Sequence, residues 1–317
     1  MDSASRLLGK LGDKLFADVQ VRRAWLDAML NPQPFHPCIL WCQEKPDPLP
    51  FAVEPPLPWQ PAFVDRLELN ARPGKHPLHN TGSFYCLDFS SVFAASVLLA
   101  IPQPVPLAID LCAAPGGKSL FAWVGLQPEV LISNEVIGKR TGMLVANLKR
   151  CGARVAITNR DTQVFATEIP DTATVVLVDA PCTGQSLLAK GERAPGCFHP
   201  ALINKNANRQ KRILANAARV VAPGSYLAYM TCAYSPSGKT RGVCQWLLKR
   251  FPEFQPLPVP HLAAYQSHLT DIPCYRMFPQ ERLGAGAFTV LLQRQAGGAA
   301  KPLPVDFLER YGVGIVQ

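Results

Sequence analysis

"DLCAAPGGKS", residues 110 to 119, is the stretch that decides the fold. An apolar run ending at Ile109 leads into Asp110, two small residues, Pro115, two glycines, Lys118 and Ser119. Rigid and permissive residues side by side, just past a strand, suit a backbone that turns tightly and then opens a helix. The first amides of a helix lack internal partners and attract an acidic group, and open α/β sheets bind ligands at the carboxyl ends of their strands. A tight strand-to-helix turn without any ligand explains two glycines alone equally well. The stretch has neither the GxxxxGK[ST] spacing of a triphosphate loop nor the GxGxxG of a dinucleotide loop.

Outward from this loop the sequence alternates. Apolar segments "PLAIDLCA", "EVLISNE", "ARVAITNRD", "TATVVLVDAPC" and "GSYLAYMTC" are separated by helical patterns from about Lys118, in "GKRTGMLVANLKRCG" and in "NKNANRQKRILANAARVV". "GAFTVLLQ" reads as the closing strand. Such alternation predicts an α/β domain with a mainly parallel, Rossmann-like sheet over residues 81–317. Ahead of it, "DFSSVFAASVLLA" reads as a helix that Asp88 or Ser90 can cap. Residues 1–80 form a small N-terminal α+β module. Leu7, Leu8, Leu11, Leu15, Val19, Trp25, Leu26 and Leu30 give it a helical start. Ten prolines between Asn31 and Pro61 then break regular structure. "FVDRLELN" suits a strand and "ARPGKHPLHNTG" a loop.

Two acids extend the loop into a site. Glu135 ends the second strand, 19 positions after Gly116, where a carboxylate can accept both hydroxyls of a ribose. Asp161 follows the third strand, beside the expected base pocket. A nucleoside cofactor without a pyrophosphate fits this arrangement, which points to S-adenosylmethionine. Each acid alone is more often a solvated strand end; three acids in order at successive strand ends are harder to attribute to chance.

Two cysteines end the next two strands: Cys182 after "VDAP" and Cys232 after "YMT". Singly, each is more often inert packing. On neighbouring strands they would meet, with Asp179 between them and the cofactor. Cytosine carbon 5 is too poor a nucleophile to take a methyl group directly, and a thiolate adding to carbon 6 activates it. An acid at ring nitrogen 3, expected to be a carboxyl whose pKa burial has raised, stabilises the adduct. The second cysteine, or a water it positions, assists release.

With these motifs in place, "DLCAAPGGKS", "NE" with "GKRTGMLVANLKRCG", "DAPCTGQS" and "YMTC" resemble the Sun-type RNA cytosine-5 methyltransferases, from about Tyr85 to Arg294. "FYCLDFSS" and "RMFPQERLGAGAFTVLL" resemble the flanking segments. The resemblance implies a class I methyltransferase domain with Cys232 as nucleophile, Cys182 in product release, Asp179 on the base and Lys118 beside it. It also implies a cofactor set of Cys112, Ala113, Ala114, Pro115, Gly116, Gly117, Lys118, Glu135, Arg140, Asp161 and Asp179. The sequence departs from the family after Cys232, where Ala233 and the basic "SPSGKTRGV" replace a serine and an acidic cluster. The family's "FRVN" segment is missing upstream.

Composition sets the wider frame. With 48% hydrophobic and 17% charged residues among 317, the chain is of the folding kind. A formal charge of +9 favours a polyanionic partner, though many basic proteins bind no nucleic acid. Lys205, Arg209 and Arg212 share a helical face with Lys211 alongside; Lys139, Arg140, Lys149, Arg150 and Arg154 form a second group. Lys190 and Arg193, close after Cys182, are the pair best placed to hold phosphates. A solvated helix face is the plainer explanation for the first group. His76 and His199 show no partner and receive no role.

Ten cysteines without paired CxxC spacing read as thiols in a reducing compartment, with no metal site. "MDSASRLLGK" lacks a basic leader followed by an apolar core, and no apolar run is long enough to cross a bilayer. The expectation is a cytoplasmic monomer acting on rRNA or tRNA. Two alternatives stay open: a methyltransferase of other specificity, acting on an exocyclic amine, and an RNA-binding assembly factor that keeps the fold without catalysis.

Overall fold

The computed structural model describes residues 3–234 and 240–316. Two helices, α1 (Ser3–Leu15) and α2 (Val19–Leu30), open the chain, and Asp18 caps the second by accepting the amides of Gln20 and Val21. Their apolar faces pack Leu8, Leu11, Leu15, Trp25 and Met29 against Phe198, Tyr234 and Phe278 of the main domain. The proline-rich connection is ordered because it carries β1 (Cys38–Trp41), which pairs antiparallel with β2 (Val64–Arg66) and, past a short α3 (Pro77–Asn80), with β3 (Phe84–Cys86). The segment expected to be a loop therefore holds a 3-10 turn (Pro73–Lys75) and the single turn of α3, and the small sheet takes its third strand from beyond residue 80. Gly82 makes the seam possible: at φ +74° it lies against the Arg150 carbonyl, where any Cβ would overlap.

The main domain begins with α4 (Phe89–Ala95), capped by Asp88. β4 (Leu107–Asp110), α5 (Gly117–Leu126), β5 (Val130–Asn134), α6 (Gly138–Arg150), β6 (Val155–Thr158), α7 (Thr162–Glu168), β7 (Ala173–Asp179), α8 (Pro200–Val220) and β8 (Val221–Thr231) then alternate. Hydrogen bonding gives the order β8-β7-β4-β5-β6, all parallel. The order turns back between β4 and β7, so a crevice opens at that switch point, above the carboxyl ends. Buried Ile109, Ile132, Val176 and Leu227 fill one face of the sheet, and Ala108, Leu131, Val175 and Ala228 the other.

The edges are antiparallel. Beyond α9 (Thr240–Arg250), β9 (Phe254–Pro256), β10 (Tyr275–Met277) and β11 (Ala287–Arg294) extend the sheet past β8. After α10 (Phe307–Tyr311), β12 (Gly312–Val316) covers the opposite edge against β6. "GAFTVLLQ" is thus β11 as expected but not the closing strand; "GVGIV" carries too little apolar pattern to signal one. Among the described residues no helix is long and apolar enough to cross a membrane.

Candidate active site

The glycine loop is held from beneath. Asp110, fully buried, accepts the Cys112 amide at 3.1 Å and the Ser119 hydroxyl at 2.7 Å, and Ser119 takes a bond from Ser133. Asn134 donates to the carbonyls of Leu111 and Arg160 and accepts from Thr158, so the ends of β4, β5 and β6 are tied together. Burial pushes the Asp110 carboxyl up to about 6 and the Cys112 thiol well above its ordinary range. Cys112 therefore meets the crevice as a neutral group.

A cavity of about 310 Å³ lies over these strand ends. Glu135 and Asp161 line one part, Asp179, Cys182 and Cys232 another, and Cys112, Ala114, Lys118 and Arg140 complete the expected set within it. Glu135 is only 3% exposed; its carboxylate accepts the Ile137 amide at 2.9 Å and faces Arg140 at 3.1 Å. Arg140 also donates to the Ala114 carbonyl at 2.7 Å, tying the acid to the loop. Asp161 caps α7 and pairs with Arg212 at 3.2 Å.

Four loop residues of the expected set do not line this cavity. Ala113, Pro115 and Gly117 line a smaller adjoining pocket with Tyr85 and Leu87. Gly116, at φ +118°, turns toward Leu144 of α6, and its amide donates to the Ala113 carbonyl at 2.7 Å. The loop is made of small residues to let α6 and the 85–87 segment approach, and only part of it faces the main cavity.

Asp179 differs as well. Its side chain is 35% exposed and pairs with Lys118 at 2.7 Å, where the sequence reading expects a buried carboxyl. The strand ends at Asp179, so its carboxylate emerges into the crevice, and Lys118 is drawn to it from the first turn of α5. Lys118 also reaches the Ser91 hydroxyl at 3.4 Å.

The ten expected thiols are corrected too. Cys182 and Cys232 are joined as a disulfide, and the others are free. Proximity is the reason: β7 and β8 run in register with Asp179 opposite Met230, and the two chains leave the sheet with the cysteine Cα atoms 6.4 Å apart. The convergence expected of these sulfurs is met, on the cavity that Glu135 and Asp161 also line.

Of the basic residues, Arg209 and Arg212 line the cavity, while Lys205 is exposed beyond it. Lys211 lies over the Trp246 ring. Arg150 is structural: it donates to the carbonyls of His79 and Phe84 across the module seam. Lys190 is ion-paired with Asp88 at 2.5 Å, so it meets the cavity as half of a pair. His76 and His199 accept backbone amides as helix caps. Of the basic segment after Cys232, residues 235–239, with Lys239, lie outside the described residues. Sequence reasoning misses Val136, a residue 44% exposed that stands in the cavity wall. An apolar residue directly after Glu135, the acid that the sequence reading assigns to a ribose, was its available signal.

A family model described as 16S rRNA methyltransferase RsmB/F matches residues 97–293, from just before β4 to the end of β11. The chain belongs to the RsmB/F methyltransferase family. Two ribosomal RNA small subunit methyltransferase F proteins illustrate the kinship. The chain is 30% identical over 267 residues to that of Escherichia coli O17:K52:H18, covering 82% of this chain and 54% of the relative. It is 31% identical over 257 residues to that of Pectobacterium atrosepticum, covering 78% and 52%. The chain thus spans about half the length of these relatives.

Two solved structures from Pyrococcus horikoshii share the fold. A methyltransferase homolog superposes with a TM-score of 0.73 at 21% identity, covering 93% of this chain and 100% of the other. NSun6 with SFG gives 0.72 at 16% identity, covering 92% and 98%. These matches run beyond the RsmB/F segment and take in most of the N-terminal residues.

Proposed function

We propose that the chain transfers a methyl group from S-adenosylmethionine to carbon 5 of a cytosine in RNA, with cytoplasmic small-subunit ribosomal RNA as the substrate. The observation that carries this reading is that Cys182 and Cys232, beside the Lys118–Asp179 pair, share one cavity with Glu135 and Asp161. The kinship to proteins named for small-subunit rRNA methylation supports the choice of RNA.

The cavity fits the cofactor on its own terms. Glu135 offers a buried carboxylate suited to ribose hydroxyls, Val136 an apolar seat for a base, and Asp161 a second acceptor at the same end. When bound, S-adenosylmethionine supplies an electrophilic methyl group on a sulfonium. The chain supplies the rest. Once a thiol reductant, itself oxidised to a disulfide, has converted the Cys182–Cys232 bond to two thiols, the Cys232 thiolate adds to carbon 6 of the base, and electron density moves toward ring nitrogen 3. The Lys118–Asp179 hydrogen bond holds a transferable proton between two groups and delivers it to that nitrogen. After carbon 5 is methylated, Cys182 or a water it holds takes the carbon 5 proton. The carbon 6–sulfur bond then breaks, nitrogen 3 returns its proton, and Cys232 leaves.

Two variants test this under a thiol reductant. Cys232→Ala abolishes 5-methylcytosine, read by bisulfite sequencing of RNA incubated with the protein. Cys182→Ala retains RNA as a covalent adduct that runs slowly on a denaturing gel. Methylation that survives in Cys232→Ala would overturn the covalent route and favour the exocyclic amine. A missing adduct, while the wild type methylates, would overturn the division of labour between the sulfurs.

A further inference from the structure

We propose that the trough between the N-terminal module and the main domain carries the RNA nucleotide next to the target cytosine, with its base against Phe35. This rests on the function proposed above and extends it from the target base to its neighbour. The trough measures about 610 Å³ and is walled by Pro34, Phe35 and His36 on one side and Leu87 and Gly191 on the other. It adjoins the cavity directly, because Asp88 and Lys190 line both.

The wall chemistry is that of a single-strand platform. Phe35, His36 and Pro37 are half-buried, so they keep their positions while leaving surface toward the trough. Aromatic faces accept any base by stacking, and a strand whose target base is turned into a catalytic pocket must leave its neighbours unstacked nearby. Two details fix the geometry. His36 is held by the Leu67 carbonyl at 2.9 Å and Glu54 at 3.4 Å. Gly191, at φ +75°, lies in ordinary contact range of Pro32, where a Cβ would stand 3.5 Å from its Cγ, so the turn after Lys190 runs beside the proline-rich segment.

The rim carries the matching charge. Arg72 and Lys75 are exposed on the 3-10 turn that contains Pro73, itself a wall residue, and Arg193 is exposed two positions after Gly191. Glu192 also lies on this rim, while Glu54 is engaged by His36 and Asp88 by Lys190. Three exposed cations against one exposed acid favour a polyanion over a neutral or basic peptide, and the aromatic wall suits the bases of a phosphate-linked strand.

The test uses the full chain and fluorescein-labelled single-stranded oligocytidine RNA, ten nucleotides long, read by fluorescence anisotropy. Phe35→Ala is expected to weaken binding about tenfold, the loss of one stacked base, and Phe35→Trp to restore it. Because Phe35 also touches the α1–α2 core, the surface variant Arg72→Glu with Lys75→Glu is the second arm. It is expected to weaken binding several-fold and to lower the salt dependence by about two phosphate contacts. Wild-type affinity in both variants would overturn the trough assignment, and would make this face a protein-docking surface or a bare one. The same preparations are assayed for methylation of protein-free small-subunit rRNA. Active protein with unaltered binding refutes only the trough, whereas wild-type protein that methylates no RNA refutes the function on which it rests.

Discussion

Replacing Glu135 by glutamine tests the acid that the proposed function assigns to the ribose. The carboxylate is 3% exposed and accepts the Ile137 amide, so the isosteric amide keeps the same place and can still accept that bond. It loses the charge, and it turns one of two acceptors into a donor. A hydrogen bond to a charged group contributes about 1.5–3 kcal/mol. One such bond to a ribose hydroxyl is lost, so S-adenosylmethionine should bind about 10- to 150-fold more weakly. The Glu135–Arg140 pair is lost as well, but Arg140 is 42% exposed and keeps its bond to the Ala114 carbonyl. Its contribution to stability is therefore about 1 kcal/mol or less. Isothermal titration gives the affinity and differential scanning calorimetry the stability. A change in Kd below threefold, or a large fall in Tm with affinity retained, would refute the argument, because the acid would then serve the fold and not the ribose.

Two more predictions come from the fold. Gly82→Ala forces a side chain into the Arg150 carbonyl at a positive φ; unfolding by urea should show a loss of about 3 kcal/mol or more, and an unchanged midpoint would contradict the seam described here. Asp110 gives a pH signature. Burial raises its pKa from 3.8 to about 6, so the folded state binds the proton more tightly than the unfolded one. Its stabilising effect is complete below the unfolded value and is lost as pH rises through about 6, a change on the order of 3 kcal/mol. Asp110→Asn should flatten the stability profile between about pH 4 and 6; chemical denaturation across that range checks it, and an unaltered slope would mean another group titrates.

The features legible in the sequence are the ones that neighbours along the chain determine. The strand-to-helix turn at 110–118, the acids closing successive strands, the Asp88 cap and the helical basic face all follow from spacing and residue type. The Sun-type motifs lie in these same stretches. Pairing across the chain decided the rest. Strand order brought residue 182 beside residue 232, and Leu87 and Tyr85 pack so closely on Gly117 that a Cβ would not fit there. An ion pair spanning Asp88 and Lys190 took a cation that sequence reading left for phosphate. β12 depends on an open edge at β6, not on its own apolar pattern. A sequence states which groups are available. Which of them meet is decided when distant segments compete for the same partners, and that competition exists only in the folded chain.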